Sequence, residues 1–129
     1  MKILAIGGSG GMGRFAVDAA QHFNTVERIE VADLNEASAQ NFAAQLNNKV
    51  NAIGLDVSDD AALRKAMANA DLVMNTCGPF YRYGLPVLQA AIESGCHYVD
   101  ICDDWEPTVE VLELDQQAKD ADVSAIVGL

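Results

Sequence analysis

A chain of 129 residues, half of them hydrophobic and 21% charged, is expected to form one globular domain with enough apolar side chains for a core. Nineteen acids against eight scattered bases give a formal net charge of −11, which disfavours nucleic-acid and anionic-membrane partners. No apolar run reaches the roughly 18–20 residues of a membrane-spanning helix, the start Met1–Gly7 lacks a signal-peptide cleavage pattern, and Cys77, Cys96 and Cys102 lack C-x-x-C spacing. These features exclude a disulfide scaffold and a metal site, and they make the cytoplasm the expected compartment.

In chain order, β-type runs alternate with helical patterns. The expected strands are Lys2–Ile6, Arg28–Ala32, Val50–Leu55, Leu72–Asn75, His97–Ile101 and Val123–Val127, several of them continuously apolar, as strands buried on both faces are. Between the first two, Met12, Ala16, Ala19, Ala20 and Phe23 recur at helical spacing and mark one buried face. Ala39, Phe42, Ala43 and Leu46 do the same in the next interval. Ser58, followed by Asp59 and Asp60, predicts the cap and acidic first turn of a third helix that faces inward through Leu63, Ala66 and Met67. Pro86 suits the first residue of a fourth helix ending at Gly95, and Pro107 the first residue of a fifth carrying Val111, Leu114 and Ala118. The order βαβαβαβαβαβ predicts an α/β fold with a doubly wound parallel six-stranded sheet. In a Rossmann domain its strand order is 3-2-1-4-5-6.

The first strand runs into Gly7-Gly8-Ser9-Gly10-Gly11-Met12-Gly13, in which Gly8, Gly10 and Gly13 satisfy G-x-G-x-x-G. In that alignment Gly8 makes the tight turn, Gly10 lets backbone amides approach a pyrophosphate, and Gly13 allows the helix to pack close to the sheet. Gly7, Gly10 and Gly13 make a second register, G-x-x-G-x-x-G, so two alignments stand open. Asp33, twenty residues after Gly13 at the end of the second strand, is placed to accept ribose hydroxyls and to repel a 2′-phosphate. The next positions are Leu34 and Asn35 rather than arginine, so NAD is favoured over NADP, with Arg14 and Lys2 as the basic residues able to reach round.

Two further loops follow strand ends. Asp56 either bonds the adenine amino group, with Val57 over the ring, or caps the helix that follows. Thr76, Cys77 and Gly78 offer small side chains beside the nicotinamide ribose. Beyond them Phe80, Tyr81 and Tyr83 either wall the pocket or pack against another part of the protein.

The segments Gly8–Gly13, Val31-Ala32-Asp33, Val73-Met74-Asn75, Gly78-Pro79-Phe80 and Ala90–Asp100 together resemble the amino-terminal cofactor domain of the saccharopine dehydrogenase-like oxidoreductases. That resemblance spans nearly the whole chain. It implies a nicotinamide-dependent enzyme acting on the C–N bond of an amino acid or amine, and the missing arginine is closest to NAD-using members such as lysine 6-dehydrogenases. It also implies a following α+β domain that binds the substrate, so residues 1–129 are expected to be an excised cofactor unit, inactive alone, whose parent is a candidate homodimer.

Proton transfer then has few candidates here. Asp103 and Asp104 either attract a cationic amine and act as base or start the helix before Pro107. Tyr98, Asp100, Cys77 and Cys102 fall at the same end. His97, at the start of a strand, reads as structural, and His22 suits a helix carboxyl terminus. No Tyr-x-x-x-Lys pair supports the alternative of a short-chain or epimerase-type oxidoreductase. A non-catalytic NAD-sensing module is the alternative of another class.

Overall fold

A computed structural model describes residues 1–129. The strands are β1 (Lys2–Ile6), β2 (Arg28–Asp33), β3 (Val50–Gly54), β4 (Leu72–Asn75), β5 (His97–Asp100) and β6 (Ala125–Ile126). The helices are α1 (Gly11–Ala20), α2 (Glu36–Ala43), α3 (Asp60–Met67), α4 (Phe80–Glu93), α5 (Trp105–Leu112) and α6 (Asp115–Asp120). All five strand pairs are parallel, in the order β3-β2-β1-β4-β5-β6. The expected topology is therefore observed.

Strand alternation explains the two cores. On β1, Ile3 and Ala5 point to a cluster with Val17 and Ala20 of α1 and Ala39 and Phe42 of α2. Leu4 and Ile6 point the other way, to Leu63 and Met67 of α3, Val87, Leu88 and Ala91 of α4, and Val111 of α5. Successive side chains leave a strand on opposite faces, so an all-apolar strand demands helices on both. No helix is long and apolar enough to cross a membrane.

Several local expectations need correction. The buried face of α1 is Gly13, Val17 and Ala20; Met12 is 62% exposed, and Phe23 lies beyond the helix and is 58% exposed. Gly13 must face the loop backbone, and that fixes the helix rotation. Pro86 does not begin α4 but lies inside it. It is exposed, so water can satisfy the carbonyl left without an amide, while Val87, Leu88, Ala91 and Ile92 hold the helix on the core. Pro107 is the third residue of α5, within the first turn, where a missing N–H costs no helical bond. The fifth helix is two, because Glu113 and Leu114 close tight turns onto Glu110 and Val111. The cap of α3 is Asp59, whose carboxylate accepts from Ala62 N at 3.1 Å, and not Ser58. The last strand shrinks to two residues because Val123 N bonds Ala118 O and Ser124 N bonds His97 Nδ1, leaving only Ala125 and Ile126 to pair with β5. That bond gives the exposed His97 its structural role.

Candidate dinucleotide site

The loop leaving β1 turns at Gly7, whose φ of 72° lies in the left-handed region that favours glycine. The turn is thus one residue earlier than the G-x-G-x-x-G alignment puts it. Gly10 N closes it onto Gly7 O at 2.9 Å, and Gly10 is the N-cap of α1. A Cβ on Gly13 would collide with the Gly7 carbonyl oxygen and lie 2.8 Å from both Gly8 Cα and the Thr76 hydroxyl. Gly7 therefore makes the turn, Gly10 caps α1 and Gly13 packs on the loop, while Gly8 is also held to glycine, since a Cβ there would lie 2.9 Å from the Ala5 carbonyl oxygen.

The amides of Gly11 and Met12 have no acceptor within the chain, as befits a helix amino terminus. No atom beyond its chain neighbours and its own helix backbone lies within 4 Å of where a Gly11 Cβ would be. Free amides at a positive helix end suit a pyrophosphate.

Beside this loop is a cleft of about 270 Å³. It is lined by Asp33 and Leu34 from the end of β2, Asp56 and Val57 after β3, and Cys77 and Gly78 after β4. These six expected site residues thus meet at the carboxyl edge of the sheet, where the strand order reverses about β1. Ile6, Gly7, Ala32, Leu55 and Pro79 also line the cleft and were not among the expected site residues. Gly7 carried a signal through the second glycine register, and Ala32 and Pro79 through the segments of the family resemblance. Of the three aromatics, Tyr83 lines the cleft, Phe80 begins α4 and Tyr81 is exposed.

Asp33 is held in place. Ser9 Oγ donates to its Oδ2 at 2.5 Å and Asn35 N to its Oδ1 at 3.3 Å, so a buried loop hydroxyl orients the acid. Asp56 accepts from Ser58 N at 2.9 Å and Ser58 Oγ at 2.6 Å, both at Oδ1. The Ser58 bonds, helped by the charge of Arg82, hold its carboxyl below the usual carboxylate range. Asp56 therefore shapes the turn before α3, does not cap that helix, and leaves Oδ2 outside the Ser58 bonds. Thr76 differs: its hydroxyl donates to Ile6 O at 2.9 Å, tying the β4 loop to β1, and it is not among the lining residues. Burial pushes the half-buried Cys77 thiol above its ordinary value, so it is a poor nucleophile. Asp103 and Asp104 are exposed on the loop after β5 and do not reach the cleft lining; Asp104 is the N-cap of α5 without a side-chain cap bond. No cluster of potential metal ligands occurs.

Comparison with known proteins agrees with this geometry. Residues 3–126 match the family model described as the saccharopine dehydrogenase NADP binding domain. The saccharopine dehydrogenase-like oxidoreductase of Rattus norvegicus is 39% identical over 69 residues, covering 54% of this chain and 16% of that protein. A probable mitochondrial saccharopine dehydrogenase-like oxidoreductase of Arabidopsis thaliana is 29% identical over 111 residues, covering 77% of this chain and 24% of that protein. The apo saccharopine dehydrogenase (L-Glu forming) of Saccharomyces cerevisiae superposes with a TM-score of 0.83 at 25% identity, over 99% of this chain and 27% of the yeast chain. The chain thus spans about a quarter or less of the length of these relatives. With the sheet order, the glycine loop and the family match all in place, the chain belongs to the saccharopine dehydrogenase-like oxidoreductases, as their nicotinamide-dinucleotide-binding domain.

Proposed function

We propose that this domain serves an oxidoreductase acting on the C–N bond of an amino acid or amine, and that it prefers NAD to NADP. The observation that carries the cofactor preference is the Asp33 carboxylate, fixed at the end of β2 by Ser9 and followed by Leu34 and Asn35 instead of a basic residue. A carboxylate there accepts ribose hydroxyls and repels a 2′-phosphate. Arg14, the base in the first turn of α1, is already engaged: its Nε donates to Ser9 O at 2.6 Å and its guanidinium lies 4.9 Å from the centre of the Phe42 ring. The amides of Gly11 and Met12 would hold the phosphates, Asp33 the adenosine ribose, and the backbone about Cys77 and Gly78 the nicotinamide side. When bound, the cofactor supplies the hydride chemistry.

The amine half of the reading is supported by family membership and by the likeness to the yeast saccharopine dehydrogenase. The substrate is then held by parts of a longer protein, the isolated domain binds cofactor without turnover, and Asp103 and Asp104 draw a cationic amine toward the carboxyl edge. The parent enzyme works in the cytoplasm, as a homodimer, on a small amine or amino acid and without nucleic-acid or membrane partners. Amine-dependent NADH formation by the full-length polypeptide tests this. A rise with lysine, saccharopine or a polyamine is expected, together with a higher KM when Asp103 and Asp104 become asparagine. A flat trace with all three substrates overturns the amine reading.

A further inference from the structure

Three polar side chains behind the cleft are almost fully enclosed: Asn75 at the end of β4 is 0% exposed, and Tyr98 and Asp100 of β5 are 1% and 2% exposed. They form one hydrogen-bonded chain. Asn75 Nδ2 donates to Tyr98 Oη at 3.1 Å, and Tyr98 Oη donates to Asp100 Oδ2 at 2.7 Å. At one end, Cys77 N donates to Asn75 Oδ1 at 3.0 Å. At the other, Asp100 Oδ1 accepts from Cys102 N at 3.1 Å and from Gly128 N at 2.9 Å. No buried side-chain polar atom is left without a partner.

A carboxylate buried without a cation is costly, and apolar residues of similar volume would pack this space more cheaply. The network instead fixes three backbone segments at the carboxyl edge: the Cys77 loop, the loop after β5, and Gly128. Burial, reinforced by the neighbouring Asp100 carboxylate, pushes the Tyr98 phenol far above its ordinary value, so it stays a donor. Asp33 lies on the β2 side of β1, whereas the Cys77 loop lies on the β4 side. A dinucleotide laid across the switch point with its adenosine at Asp33 brings its nicotinamide half to the β4 side.

We infer that Asn75, Tyr98 and Asp100 are positioning residues that hold the Thr76–Gly78 backbone for the nicotinamide half of the cofactor. This rests on the dinucleotide reading above. Tyr98→Phe removes the one hydroxyl that joins the two ends while keeping the buried ring. Asp100→Asn keeps an acceptor for Cys102 and Gly128 but turns a donor toward Tyr98, which already faces the Asn75 amide donor.

Calorimetric titration of the 129-residue chain with NADH and with ADP-ribose, which lacks the nicotinamide, separates positioning from general damage. In each variant NADH affinity is expected to fall about tenfold while ADP-ribose stays within about twofold. If Tyr98→Phe does not fold, Asp100→Asn carries the test, because the Tyr98 ring and the Oδ1 acceptor for the Cys102 and Gly128 amides remain. Equal losses for both ligands, or an unchanged NADH affinity, overturn the proposal. A wild-type chain that binds neither ligand overturns the dinucleotide reading and the proposal with it.

Discussion

Asp33 and Asn35 are two positions apart and do different work. Asp33 faces the cleft with its carboxylate set by Ser9, whereas Asn35 is the N-cap of α2, its side chain accepting from Ser38 N at 3.0 Å. Asp33→Ala is expected to weaken NAD binding about tenfold, the loss of charge-assisted hydrogen bonds to a ligand, with little change in melting temperature. Asn35→Ala is expected to leave affinity unchanged and to cost about 1 kcal/mol of stability in denaturant titration, as cap removal does. The glycines separate in the same way. Gly13→Ala forces a Cβ into loop backbone and should unfold or loosen the domain, while Gly11→Ala meets nothing and should leave the melting temperature equal or higher. The glycine spacing and the acid twenty residues on were legible because both are fixed offsets. The Ser9–Asp33 bond, across 24 residues, leaves no periodic trace, and the choice of Gly7 over Gly8 for the turn needed backbone angles.

Elements were legible wherever burial dominates. The apolar runs of β1 through β5 and the inward faces of α2 and α3 follow directly from residue spacing. The face of α1 did not, because alanine and phenylalanine at helical spacing compete with a glycine whose contact is backbone to backbone. Proline misplaced the start of α4, since a helix with a strong buried face tolerates an exposed proline. Pro86→Ala should therefore stabilise the domain by about 1 kcal/mol or more, less than the full helical cost of proline because the unfolded chain also gains freedom. Thermal melts check that increment. Between helices, Arg64 of α3 pairs with Asp60 of its own helix at 2.9 Å and with Glu93 of α4 at 2.5 Å. The Arg64 bond holds the Glu93 carboxyl below the ordinary glutamate range. A depressed carboxyl contributes stability above the ordinary glutamate value and loses it as pH falls through the folded value. Glu93→Gln should thus show a small melting deficit at neutral pH that disappears in acid and shrinks in high salt, since the pair is exposed.

The six-stranded order places every candidate loop on one edge, which is why residues as distant as Asp33, Asp56 and Cys77 share a cleft. Topology was readable from the βα alternation together with the rule of right-handed crossovers. The buried Asn75–Tyr98–Asp100 network was readable only in part: the spacing of two puts Tyr98 and Asp100 on one face of β5, but nothing in the spacing joins them to Asn75 on β4. A net charge of −11 opposes an anionic dinucleotide at long range, so the association rate of NADH should rise with salt in stopped-flow measurements, opposite to the behaviour of a basic nucleic-acid binder. If this domain holds a nicotinamide dinucleotide with Asp33 selecting NAD, the two cofactors must differ in affinity. Parallel calorimetric titrations of the chain with NADH and NADPH test it most directly. Saturable NADH binding is expected, with NADPH about tenfold weaker or more, an electrostatic penalty of roughly 1.4 kcal/mol. Equal or tighter binding of NADPH, or no binding of either, would contradict it.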